Sequence, residues 1–211
     1  MKILDLHPVR IYVEDIPDEK SDRISLIDEV YNIRYNNPLG IERSNLGGWH
    51  SPNNLMENPK FNKLNNIIID IINNQIIEND YELLKNMKLI VDKIECSWAI
   101  INNEKDGNQT HTHAGNWLSG CFYIKAPSYN LNYQGNIGLL DQVSARVHES
   151  EPFRSHHSEP YYIEPKEGRL VIFPSWMSHQ VTPNFTNEDR ISYSFNITYQ
   201  IQNYWKVRDD R

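Results

Sequence analysis

The chain has 211 residues, 39% of them hydrophobic and 23% charged, a composition that supports one well-buried core and differs from the low-hydrophobicity, high-charge signature of disorder. A net charge of −7 excludes a general binder of the phosphate backbone, which needs a concentrated basic surface, so no nucleic-acid partner is expected. Cys96 and Cys121 form no CxxC pair or disulfide framework, Asp5 and Pro8 interrupt the N-terminus before an apolar signal core can form, and the apolar run around residues 67–77 is broken by Asp70, Asn73, Asn74 and Gln75; the expectation is a cytoplasmic protein with no membrane partner.

In chain order, Leu6 to Val13 alternates polar and apolar residues at period two and reads as an edge strand. Asp18 to Tyr31 places Ile24, Leu26, Ile27, Val30 and Tyr31 at helical spacing until Asn36-Asn37-Pro38 stops it. A turn-rich loop runs from Ser44 through Gly47-Gly48-Trp49-His50 to Pro52. From Asn53 to Asn74, Leu55, Phe61, Leu64, Ile67, Ile68 and Ile71 mark one face of a long helix, and Tyr81 to Asn86 is a weaker helical piece.

The period then changes to two. Strands are predicted at 89–102, 109–113, 118–126, 136–140, 161–164, 169–174, 180–182 and 190–199, separated by Gly, Pro, Asn and Asp turns. Helices followed by many short strands give an α+β fold in one domain spanning 1–211, with a mostly helical front half (1–88) and a β core (89–200) shaped as a barrel or sandwich.

Three of the eight histidines fall at strand ends. His111 and His113 flank Thr112, and residues at i and i+2 of a strand share a face, so both imidazoles can address one point. His179 closes the turn after Phe173-Pro174-Ser175. Imidazoles without a nearby thiolate suit Fe(II), Mn, Ni or Zn, and spacing alone does not choose among them. Eleven residues beyond His179, Arg190 and Ser192 share a strand face on which a guanidinium and a hydroxyl can receive one carboxylate; the ordinary alternative is an edge arginine paired with Glu188 or Asp189.

The segments Leu118-Ser119-Gly120-Cys121-Phe122-Tyr123, Gly168 to His179 and Arg190-Ile191-Ser192-Tyr193-Ser194-Phe195-Asn196, with the histidines ahead of them, resemble a family of 2-oxoglutarate/Fe(II) oxygenases related to prolyl hydroxylases over about residues 44–198. The resemblance implies a double-stranded β-helix, the jelly-roll or cupin-like body, with the N-terminal helices packed on one sheet. It also implies a dioxygenase that hydroxylates a peptide, amino acid or small metabolite, using O2 and releasing succinate and CO2 from 2-oxoglutarate. His111 and His179 would be iron ligands, and Arg190, Ser192 and Tyr123 would hold the far carboxylate of 2-oxoglutarate, with Tyr123 reading equally as a core aromatic; Asn116 is a candidate to touch the oxo-acid or to make the turn. Where the wider superfamily has an HxD or HxE carboxylate, this chain has His113. A three-histidine face, two histidines with waters, and a shifted register with His113 first all remain open.

The alternative is a cupin-like metal- or ligand-binding protein that is non-catalytic or does without 2-oxoglutarate; the missing carboxylate favours it and Arg190 with Ser192 opposes it. Trp49 and His50 are candidates for the substrate entrance or for a packed loop anchor, Asp141 for a carboxylate near the site or, more ordinarily, a turn cap, and His156-His157 for a solvated or lid-like loop. A homodimer is the default assembly.

Overall fold

The computed structural model describes residues 9–78, 89–127, 134–140 and 160–201. The strands are β1 (Tyr12–Asp15), β2 (Asn45–Leu46), β3 (Trp49–His50), β4 (Leu89–Ile90), β5 (Cys96–Asn102), β6 (Gly107–His111), β7 (Leu118–Lys125), β8 (Ile137–Leu139), β9 (Tyr161–Ile163), β10 (Arg169–Pro174), β11 (His179–Val181), β12 (Arg190–Ile197) and β13 (Gln200–Ile201). The helices are α1 (Asp18–Ser21), α2 (Arg23–Asn36) and α3 (Asn62–Ile71). A six-stranded antiparallel sheet runs β1-β10-β7-β12-β5-β3, and a five-stranded one runs β2-β6-β11-β8-β9. The two face each other across a shared core, in which Cys121, Tyr123, Val171 and Phe173 of the larger sheet meet Ile137, Leu139 and Ile163 of the smaller. This is the expected double-stranded β-helix.

Strand alternation divides the larger sheet into two chemistries. Along β12, Ile191, Tyr193, Phe195 and Ile197 point outward into the main hydrophobic core with Leu26, Val30, Leu64 and Ile68 of the helices. Arg190, Ser192, Ser194 and Asn196, on the opposite face of the same strand, line an interior cavity. The helices therefore supply the apolar burial that holds the sheet while its inner face stays polar. Phe61 stacks on Tyr193 with ring centroids 5.0 Å apart, and the Tyr193 hydroxyl donates to Asn65 Oδ1 at 2.6 Å. Arg23 at the start of α2 pairs with Asp18 and Glu167 and donates to the Ile124 carbonyl of β7, which fixes the helix along the sheet.

Several elements differ from the sequence reading. The long helix expected from Asn53 is broken into two 3-10 turns, Leu55–Glu57 and Pro59–Phe61, before α3 begins. Pro59 cannot donate a helical hydrogen bond and holds Asn58 extended, and Asn58 then caps the second turn through its side chain to the Lys60 N–H. The helix ends in a π-helical turn, Ile72–Ile77. The strand expected over 89–102 splits into β4 and β5, and the front half carries three strands as well as helices. The N-terminal strand begins at Tyr12 and is an edge strand paired with β10. The helical piece at 81–86 and Asp141 and His156-His157 lie outside the described residues. No helix among the described residues is long and apolar enough to cross a membrane.

Gly120 sits opposite Phe195 in the β7–β12 pair, where an added Cβ would lie 2.5 Å from both the Phe195 ring and the Val171 carbonyl oxygen. Gly120→Ala is expected to destabilise the fold by about 1–3 kcal/mol through overpacking. Thermal denaturation would show this as a drop of several degrees, and an unchanged midpoint would mean that Phe195 can move aside.

Candidate active site

The smaller sheet brings the three predicted histidines together. His179 opens β11 directly opposite His111 at the end of β6, and His113 lies two residues past His111, its backbone N–H donating to the Ser175 carbonyl at 2.9 Å. One potential ligand atom from each histidine lies within 4.8 Å of the others. Ring centroids are 4.3 Å apart for His111 and His179, 4.9 Å for His111 and His113, and 5.0 Å for His113 and His179.

Two of the rings are oriented by backbone carbonyls. His179 Nδ1 lies 3.0 Å from the Met177 oxygen and His111 Nδ1 lies 2.8 Å from the Gln109 oxygen. A carbonyl only accepts, so each Nδ1 carries the proton and each Nε2 is unprotonated, the tautomer that suits a metal ligand. Ser44 Oγ lies 3.2 Å from His111 Nε2 and donates to it. Burial pushes the pKa of His179 down to about 3 and that of His113 down to about 4, and lowers that of His111. All three are neutral near pH 7. A metal therefore has no proton to displace from them.

The donor set, three neutral nitrogen ligands with no thiolate, fits a borderline divalent metal such as Fe(II). Phe173 packs on His179 at 4.7 Å, and Trp98 lies against His113 at 5.4 Å. A cavity of about 380 Å³ opens beside the histidines. It is within the size range of ligand pockets, at the small end.

Arg190 enters the same cavity from the larger sheet. It is 1% exposed, yet among the described residues no carboxylate pairs with it; Asp189, one of its expected partners, instead accepts from Tyr31 and Asn103. Arg190 Nε donates to the Gly135 carbonyl at 2.8 Å, Nη1 reaches Ser192 Oγ at 3.3 Å, and the guanidinium carbon lies 4.8 Å over the Tyr123 ring. Gly135 adopts φ +61°, and a Cβ there would meet Arg190 Cδ at 3.1 Å, so glycine permits this close approach. The Tyr123 hydroxyl is fully buried and finds no hydrogen-bond partner among the described residues; burial raises its pKa and keeps it a neutral phenol. A buried guanidinium without a counter-charge, beside a buried hydroxyl, is costly unless something polar completes the pair.

Not every sequence candidate joins this cavity. Asn116 lies in the turn after His113, its side chain donating to the His113 carbonyl at 3.1 Å, and it lines a different cleft with Trp117, Pro174 and Trp176. Trp49 is a core residue whose indole donates to the Asn37 carbonyl at 2.9 Å. His50 does line the cavity, stacked on Trp98 at 5.7 Å. The sequence reading missed Trp98, Cys121, Ser194 and Asn196 as lining residues. Extending the period-two alternation from Arg190 and Ser192 along β12 would have found the last two.

With this geometry in view, the model of a family described as "Putative 2OG-Fe(II) oxygenase" matches residues 96–196. The match spans a little under half of the chain. The matched segment runs from β5 to β12 and contains His111, His113, His179, Arg190 and Ser192. Among solved structures, a Pseudomonas putida prolyl-4-hydroxylase is similar at 12% identity and TM-score 0.62, with 90% of this chain and 92% of that one covered. A Trichoplax adhaerens prolyl hydroxylase, solved with a hypoxia inducible factor peptide fragment, gives 12% identity and TM-score 0.60 over 89% and 83% of the two chains. HygX from Streptomyces hygroscopicus, solved with nickel and 2-oxoglutarate bound, gives 10% identity and TM-score 0.58 over 93% and 84%. At these identities the likeness establishes the fold. No curated protein matches by sequence.

His179→Ala is expected to abolish stoichiometric Fe(II) binding with the far-UV circular dichroism unchanged. His111→Ala and His113→Ala should each weaken binding at least tenfold, an order-of-magnitude expectation for loss of an oriented ligand. Isothermal titration under anaerobic conditions measures all three, and wild-type affinity in the folded His113→Ala protein would remove His113 from the ligand set.

Proposed function

We propose that His111, His113 and His179 hold Fe(II) as a three-histidine face, that Arg190, Ser192 and Tyr123 hold the far carboxylate of 2-oxoglutarate, and that the chain hydroxylates a substrate using O2. The observation that carries this reading is Arg190, a buried guanidinium with no carboxylate partner among the described residues, facing the cavity that the three imidazoles share.

Iron in such a site, with 2-oxoglutarate and O2, supplies the oxidant that inserts one oxygen atom into a substrate C–H bond while the oxo-acid leaves as succinate and CO2. The chain's own residues orient and desolvate. The Met177 and Gln109 carbonyls hold His179 and His111 with Nε2 unprotonated. Arg190 offers a planar fork, steadied from below by the Tyr123 ring and from the side by Gly135. Ser192, directly opposite Tyr123 across the β12–β7 pair, adds a hydroxyl on the same face. The apolar side chains of Ile137, Phe173 and Val181 close the cavity wall near these groups and strengthen each polar contact by excluding water. Asn116, turned into its own loop, is not part of the set.

Arg190→Lys preserves charge but loses the two-donor geometry. One charge-assisted hydrogen bond contributes about 1.5–3 kcal/mol, so affinity for 2-oxoglutarate should fall roughly ten- to a hundredfold. Titrating 2-oxoglutarate into the anaerobic Fe(II) complex and following its charge-transfer absorbance reads this directly, with iron affinity expected to stay at the wild-type value. A wild-type complex that binds iron but develops no such band would favour the metal-binding protein that does without 2-oxoglutarate.

A further inference from the structure

One cation at the cavity is not used by the iron and 2-oxoglutarate assignment. Arg43 sits on the loop just before β2, is exposed, and lines the cavity beside Ser44, His50 and Asn53. Its backbone N–H is fixed by Asn45 Oδ1 at 2.8 Å. Among the described residues no carboxylate pairs with its guanidinium, which leaves a positioned loop presenting an unpaired charge at the mouth. That charge reaches inward: burial, and to a smaller extent Arg43, lower the pKa of His50.

The charge balance of the cavity gives this residue a task. The chain carries 28 acidic residues against 21 Lys and Arg, yet none of the described residues lining this cavity is Asp or Glu. The lining carries two guanidinium groups, those of Arg190 and Arg43. Fe(II) and doubly charged 2-oxoglutarate cancel each other. With both bound, the two arginines leave the cavity positive by two, because His113 stands where a carboxylate ligand would have removed one charge. A wall with positive charge and no acidic residue to balance it favours an anion that enters.

We infer that the substrate bears a carboxylate, received by Arg43 at the mouth while the carbon to be hydroxylated passes along the flat wall of His50 and Trp98 toward His113. The stack of His50 on Trp98 at 5.7 Å and the contact of Trp98 with His113 at 5.4 Å make that wall continuous from the mouth to the histidine cluster. A cavity of about 380 Å³ admits a small group beside 2-oxoglutarate, which suits an amino acid or an acidic side chain.

This inference rests on the oxygenase reading, and the experiment separates the two. The anaerobic complex with Fe(II) and 2-oxoglutarate is formed first, and its charge-transfer band reports whether the oxo-acid binds. N-acetylglutamate and N-acetylaspartate are then titrated against their neutral counterparts N-acetylglutamine and N-acetylasparagine, and the perturbation of that band is followed. The acids should act at roughly tenfold lower concentration than the amides, as one charge-assisted contact implies. Arg43→Gln should erase the difference while leaving the 2-oxoglutarate titration unchanged, and Arg43→Lys should keep part of it. Equal responses to acids and amides, no response to either, or a preference that survives in Arg43→Gln overturns the inference. A wild-type complex without the 2-oxoglutarate band overturns the oxygenase reading itself and this inference with it.

Discussion

Arg190 is the residue on which the rest of the site depends. A guanidinium that is 1% exposed carries a desolvation cost of several kcal/mol unless partners offset it, and the partners the fold provides are a carbonyl, a hydroxyl and an aromatic face rather than a carboxylate. The protein thus maintains an internal positive charge that is complete only with an anion. Placing it in the cavity shared with three neutral imidazoles links the two halves of the chemistry: one side of the cavity suits a metal and the other a carboxylate.

The architecture explains how this cost is tolerated. β12 spends one face on Ile191, Tyr193, Phe195 and Ile197, packed against α2, α3 and Phe61, and keeps its other face for Arg190 and Ser192. Burying large apolar side chains contributes about 1.5–3 kcal/mol each, so the outer face supplies the stability that the inner face gives up. The smaller sheet plays the complementary part. Its β6–β11 pairing sets His179 opposite His111, and backbone carbonyls two residues before each fix the ring tautomers. His111, His179, Arg190 and Ser192 are therefore placed by strand register, which is stiffer than a loop.

Much of this was legible in the chain. Period-two alternation located β7, β10 and β12 nearly to their ends, and the same alternation put His111 beside His113 and Arg190 beside Ser192 on common faces. Local signals failed where a single residue overrode periodicity: the apolar spacing from Leu55 to Ile71 reads as one helix, but Pro59 breaks it. His50 was a candidate for the entrance, but nothing local to Trp98 or Arg43 announces that β5 and the loop before β2 converge on the histidines. Asn116 shows the reverse, a polar residue close in sequence to His113 that the turn directs into its own backbone.

The measurement that bears most directly on the account is the fate of 2-oxoglutarate under air. Purified protein supplied with Fe(II), ascorbate and 2-oxoglutarate should form succinate and CO2 in equal amounts, slowly without substrate, and should form neither when iron is withheld. Protein that binds Fe(II) stoichiometrically and 2-oxoglutarate tightly but releases no succinate under any supplied substrate would contradict the claim that this cavity is an oxygenase active site.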